Sequence, residues 1–129
     1  MEKQIRKKAL VLLVDDDESL LELIKMALKQ NQYEVATATN GQEAIAKIKE
    51  SEPALVILDV MMPIMDGFEA CRVIKSNRNF GNIPVLMLSA KSHKSDLEQG
   101  KLSGADRYIT KPFDFNEFLN IVGTYLQKA

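Results

Sequence analysis

Five short apolar runs, each followed by a longer stretch with helical spacing, constrain this chain more than any other feature. Two parallel strands can be joined only by a long crossover, commonly a helix, so this alternation argues for a parallel sheet covered by helices. The runs lie at residues 9–14, 34–38, 54–58, 84–88 and 107–109. The first, third and fourth consist almost wholly of Val, Leu, Ile and Met, as expected of strands buried on both faces. The second is weaker and more polar, which places it at a sheet edge.

Between the runs, residues 18–29 carry Leu20, Leu21, Ile24, Ala27 and Leu28 at helical spacing, with Glu22, Lys25 and Lys29 on the other side. Residues 42–49 repeat the pattern with Ala44, Ile45 and Ile48, and residues 68–75 with Phe68, Cys71 and Ile74. Residues 96–102 are the least convincing helix, whereas Phe115, Phe118, Leu119 and Val122 define a firm last one. Gly41, Gly67, Gly81 and Gly104 are expected between elements. Right-handed crossovers turn this order into a doubly wound α/β sheet. Ligand sites in such sheets lie beyond the carboxyl ends of the strands, so that is where chemistry is to be sought.

Composition narrows the classes. A chain of 129 residues has room for one domain, and 46% hydrophobic with 27% charged residues is the balance of a folded protein. The single cysteine, Cys71, cannot make an internal disulfide, and a reducing cytoplasm fits best. A formal charge of -1 is poor footing for direct binding of nucleic acid. No apolar run approaches the roughly 18 residues of a membrane span. Residues 1–8, with Lys3, Arg6, Lys7 and Lys8, form a basic lead without the apolar stretch of a signal peptide, and residues 9–129 form the domain.

The first strand runs into Asp15, Asp16 and Asp17, the third into Asp59 and the fourth into Ser89, while Thr110, Lys111 and Pro112 follow the fifth. Carboxylates gathered within a few ångströms repel and titrate as a coupled set unless a cation holds them ionised. Mg2+ is the natural choice, because it takes a few hard oxygen ligands and keeps room for water and phosphate. A carboxylate can also attack phosphorus to give an aspartyl phosphate. Phosphoryl transfer needs alignment and charge neutralisation above all, which a divalent ion, an ammonium and a hydroxyl provide.

In these residues the chain resembles, over nearly its whole length, a receiver domain of the two-component response regulators. Val14, Asp15 and Asp16 match the family's acidic pair. The segment from Leu58 and Asp59 through Val60, Met61, Met62 and Pro63 to Met65, Asp66 and Gly67 matches its phosphorylation-site segment. Leu88, Ser89 and Ala90 match the switch hydroxyl, Tyr108 the switch aromatic, and Lys111, Pro112 and Phe113 the lysine usually followed by a cis proline. The resemblance implies a flavodoxin-like (βα)5 sheet in the order 2-1-3-4-5.

It further implies that Asp59 takes a phosphoryl group from a phosphohistidine on a sensor histidine kinase or a histidine phosphotransfer protein. Asp16, Asp59 and the backbone carbonyl of Met61 would bind Mg2+ directly, and Asp15 through a metal-bound water. Lys111 and Ser89 would meet the phosphoryl oxygens. Tyr108 would then turn inward behind Ser89, changing the face of the fourth helix, fifth strand and fifth helix on which a downstream protein docks. Such a chain is a switch that promotes its own phosphorylation and dephosphorylation, not a conventional enzyme.

Other readings compete at particular residues. Asp17 suits the N-cap of the first helix, and Asp66 with Gly67 suits a turn and helix start. His93, the single histidine, reads as an exposed loop residue, which makes the chain an acceptor and not a kinase. Cys71 reads as a packing residue. The run Met61, Met62, Ile64 and Met65 reads as a docking edge beside the site, with packing beneath the loop as the alternative. A haloacid-dehalogenase-type phosphatase would use Asp15 as nucleophile with Asp17 beside it. A flavodoxin-like flavin carrier would need a phosphate-accepting loop where this chain has three carboxylates. Met1 and an ending just past the last helix favour a stand-alone protein over a receiver cut from a longer regulator.

Overall fold

The apolar runs pair as a five-stranded parallel sheet in the order β2-β1-β3-β4-β5 in a computed structural model that describes residues 8–126. The elements are β1 (Leu10–Val14), α1 (Glu18–Gln30), β2 (Glu34–Ala38), α2 (Gly41–Ser51), β3 (Leu55–Leu58), α3 (Gly67–Ser76), β4 (Val85–Ser89), α4 (Lys94–Leu102), β5 (Arg107–Thr110) and α5 (Phe115–Leu126). Lys3, Arg6 and Lys7 of the basic lead lie outside the described residues. The polar second strand is indeed at an edge.

Successive side chains on a strand point to opposite faces, and both faces here are covered. Leu12, Val14, Val56, Leu58 and Met87 pack on Ala44, Ile48, Cys71 and Ile74 of α2 and α3. Val11, Leu13, Leu55, Ile57 and Leu88 pack on Leu21, Ile24 and Leu28 of α1 and on Phe118 and Val122 of α5. Each large side chain buried this way is worth about 1.5–3 kcal/mol, so the central strands have no room for polar residues.

Element ends depart from the sequence reading for identifiable reasons. Ser89 and Thr110 belong to β4 and β5, because the two pair in the strand ladder despite their polarity. Gly41 and Gly67 open α2 and α3 instead of lying between elements. The residues before them are the caps: Asn40 accepts the Glu43 N–H at 2.8 Å and Asp66 the Glu69 N–H at 2.9 Å. Asp17 caps α1 through the Leu20 N–H at 3.2 Å. α4 starts two residues earlier than its periodicity indicates, with the Asp96 carboxylate accepting the N–H of His93, its N-cap, at 3.2 Å.

At the opposite end of the sheet, the Asp106 carboxylate accepts the Val85 N–H at 2.8 Å and the Lys75 ammonium at 3.0 Å. Lys75 also donates to the Ile83 carbonyl at 3.0 Å, tying the end of α3 to the starts of β4 and β5.

Gly67 lets the start of α3 lie against the end of β3. A Cβ there would overlap the Asp59 carbonyl oxygen and stand 2.7 Å from Val60 Cα, neither of which can yield as a flexible side chain can. The Gly67→Ala variant is expected to lose about 2–3 kcal/mol or more of unfolding free energy in urea, the cost of overpacking against backbone. A loss under about 0.5 kcal/mol would show that the approach is not tight.

Candidate functional site

Parallel register assembles the site. Val14 pairs with Leu58, so the next residues, Asp15 and Asp59, leave the sheet side by side. The Asp59 N–H continues the ladder to the Val14 carbonyl at 3.0 Å, and the Asp15 N–H bonds to the Ala38 carbonyl at 3.1 Å. Ser89 pairs with Thr110, and the Lys111 N–H then donates to the Ser89 carbonyl at 2.8 Å. That turn aims the Lys111 ammonium at both acids, 3.2 Å from Asp15 Oδ2 and 3.4 Å from Asp59 Oδ2. The Lys111–Pro112 bond is cis.

Both acids are deeply buried, Asp15 at 2% and Asp59 at 6% exposure, whereas Asp16 is open to solvent. The remaining oxygens take backbone N–H groups: Asp15 Oδ1 from Asp17 at 3.0 Å and Asp59 Oδ1 from Met61 at 3.3 Å. Burial pushes the Asp59 carboxyl up from 3.8 to about 6, reinforced by the Asp15 charge and opposed by Lys111 and the Met61 N–H. Burial alone would pull the Lys111 ammonium down, but Asp59 and Asp15 outweigh it and hold its proton above the ordinary lysine range.

One carboxylate oxygen from each of Asp15, Asp16 and Asp59 lies within 4.8 Å of the others. Three acids face one ammonium, and every donor is a hard oxygen, so the cluster fits a hard divalent cation and could hold one.

Ser89 is fully buried and its hydroxyl accepts the Lys91 N–H at 3.2 Å. Tyr108 reaches the same loop from β5, donating its hydroxyl to the Lys91 carbonyl at 2.8 Å. Burial pushes the Tyr108 phenol up, while the Ser89 hydroxyl draws it down. Lys91 therefore joins hydroxyl and aromatic.

The family model described as the response regulator receiver domain matches residues 11–123. The chain belongs to that family. It is a phosphoacceptor switch protein of two-component signalling. The chain is 36% identical to protein PilG of Pseudomonas aeruginosa over 116 residues, 90% of this chain and 86% of the relative. It is 41% identical to the alkaline phosphatase synthesis transcriptional regulatory protein PhoP of Bacillus subtilis over 92% of its length, but spans only 49% of that protein.

Among solved structures, chemotaxis protein CheY4 of Vibrio cholerae superimposes with a TM-score of 0.87 at 33% identity, over 93% of this chain and all of that one. A solved structure from Chloroflexus aurantiacus gives 0.89 at 33% identity, over 95% of this chain and all of that one. The dehalogenase-type reading of Asp15 has no support from these matches. No helix among the described residues is long and apolar enough to cross a membrane.

The methionine-rich loop divides between its two readings: Met61 and Ile64 stand 57% and 74% exposed, while Met62 and Met65 pack against the core. Cys71 is buried, and burial pushes its thiol up. His93 is exposed. Missing from the sequence reading are the Lys91 carbonyl and Gly100, the buried residue of α4; the one signal of the latter was a glycine within the weakest helical pattern.

Because folding raises the Asp59 pKa, the folded state binds more protons than the unfolded one between about pH 4 and 6. Without divalent cations, stability therefore falls as pH rises through that window, by on the order of 2–3 kcal/mol for this group. The Asp59→Asn variant is expected to be about 1–3 kcal/mol more stable than wild type at pH 7.5 in a chelator, with the gap closing below pH 4. Urea unfolding at the two pH values checks this, and a variant no more stable at pH 7.5 would contradict it.

Proposed function

We propose that Asp59 is the phosphoacceptor, and that Asp16, Asp59 and the backbone carbonyl of Met61 would hold Mg2+, with Asp15 acting through water. The observation that carries this reading is the buried pair Asp15 and Asp59 sharing one lysine at the strand ends. Asp59 is the freer of the two, since its bonds at 3.3 and 3.4 Å are longer than those of Asp15 at 3.0 and 3.2 Å.

In the reaction, an Asp59 oxygen bonds to the phosphorus of a phosphohistidine, the phosphorus–nitrogen bond breaks, and the imidazole departs with the electron pair and takes up a proton. When bound, the divalent ion supplies neutralising charge for the carboxylates and the phosphoryl oxygens. Lys111 moves from the Asp59 carboxylate to the incoming oxygens, keeping an ion-pair partner throughout. Ser89 turns its proton toward one of those oxygens and, through the Lys91 N–H, draws the loop after it. The Lys91 carbonyl passes that displacement to Tyr108 and so to the face of α4, β5 and α5.

A phosphohistidine donor is a sensor histidine kinase or a histidine phosphotransfer protein, and a downstream protein docks on the α4-β5-α5 face. Exposed Leu97, Leu102 and Phe115 on these helices support a protein partner there. The charge of -1 supports the absence of direct nucleic-acid binding, and the cytoplasm suits a chain with one buried, unpaired cysteine. Residues 9–129 form the receiver, preceded by the basic lead.

Incubation with Mg2+ and a small acyl phosphate tests the reading by intact mass. Wild type is expected to gain one phosphoryl group and Asp59→Asn none. No gain by wild type, or equal gain by the variant, would overturn it.

A further inference from the structure

α4 buries a single residue against the sheet, Gly100. The Tyr108 ring covers it: a methyl built on Gly100 would stand 2.7 Å from Tyr108 Cδ2, 3.1 Å from Cε2 and 3.7 Å from Met87 Sδ. Carbon atoms pack at about 3.5–4.0 Å, so the first of these distances is a collision. Gly100 lies inside a regular helix, where alanine is the better helix former, and its lack of a side chain therefore has a steric and not a backbone reason.

The ring is held at its other end by the hydroxyl bond to the Lys91 carbonyl at 2.8 Å, and the Lys91 N–H is bonded to Ser89. Beside the ring a cleft of about 250 Å3 opens between α4 and β5, lined by Leu97, Lys101, Ala105 and Arg107 with Gly100 and Tyr108 themselves. A displaced ring thus has somewhere to go.

We propose that Gly100 is a positioning residue for the switch tyrosine: its missing side chain forms the seat that lets the Tyr108 ring lie against α4 with its hydroxyl on Lys91, and a side chain there drives the ring into the α4-β5 cleft. This deepens the reading of Ser89 and Tyr108 as the switch pair and rests on it. The seated ring steadies Lys91, and Lys91 steadies the Ser89 hydroxyl that meets the phosphoryl group. Whatever unseats the ring therefore disfavours the arrangement that accepts phosphate.

The test uses the full chain with Gly100→Ala, alone and in a Tyr108→Ala background, read by the ring resonances of Tyr108 and by the rate of phosphoryl gain from an acyl phosphate with Mg2+. Gly100→Ala is expected to shift the Tyr108 ring resonances without any donor present. Phosphoryl gain should reach the same end point about fivefold more slowly. Beside Tyr108→Ala the methyl has no ring to displace, and the same change should leave the rate unaltered. Unmoved ring resonances, or equal slowing in both backgrounds as a mere helix effect would give, would overturn the proposal. Should wild type gain no phosphoryl group, the Asp59 reading fails, and the ring resonances still decide whether Gly100 seats Tyr108.

Discussion

The buried acids Asp15 and Asp59, held by the single ammonium of Lys111, are the interaction on which the rest of the structure depends. Removing charge from water is expensive, and an ion pair repays that cost only where geometry is good and the remaining lone pairs are satisfied. Here two carboxylates share one cation, and backbone N–H groups of Asp17 and Met61 meet the remaining oxygens. Two carboxylates thus stand against one ammonium, and burial first, then the Asp15 charge, raises the Asp59 pKa. Three clustered acids facing one ammonium fit a hard divalent cation.

Very few groups connect the site to the outer surface. Ser89, Lys91 and Tyr108 form a chain of two hydrogen bonds from the buried floor of the site to the α4-β5 cleft. Moving a population from 1:99 to 99:1 takes about 5.5 kcal/mol, which two or three hydrogen bonds to a charged group, at about 1.5–3 kcal/mol each, provide. Under the proposed function, a phosphoryl group bonded to both Lys111 and Ser89 in one arrangement only would meet that requirement. The Gly100 seat places a steric condition at the far end of the same chain.

Much of this was legible in the residues. Strands covered on both faces admit only apolar side chains, so β1, β3 and β4 announced themselves, and the acids stood out where those runs stopped. The polarity of Ser89 and Thr110 masks their ladder pairing, so the apolar runs stop one residue short of the strands. Gly41 and Gly67 resemble breaks in sequence, although the capping side chains of Asn40 and Asp66 precede them and make them helix starts. α4 was faint because it offers the core a glycine and no large side chain. The Lys75 and Asp106 pair, 31 residues apart, and the ring of Tyr108 over Gly100 depend on tertiary proximity that no local pattern encodes.

The central claim is that, of the three clustered acids, Asp59 alone carries the phosphoryl group. Reductive trapping decides this most directly: borohydride converts an aspartyl phosphate to homoserine at the residue that held it, because an acyl phosphate is an activated carboxyl. Wild-type chain treated with Mg2+ and an acyl phosphate, trapped and mapped by peptide mass spectrometry, is expected to show homoserine at position 59. Homoserine at position 15 or 16 would contradict the account.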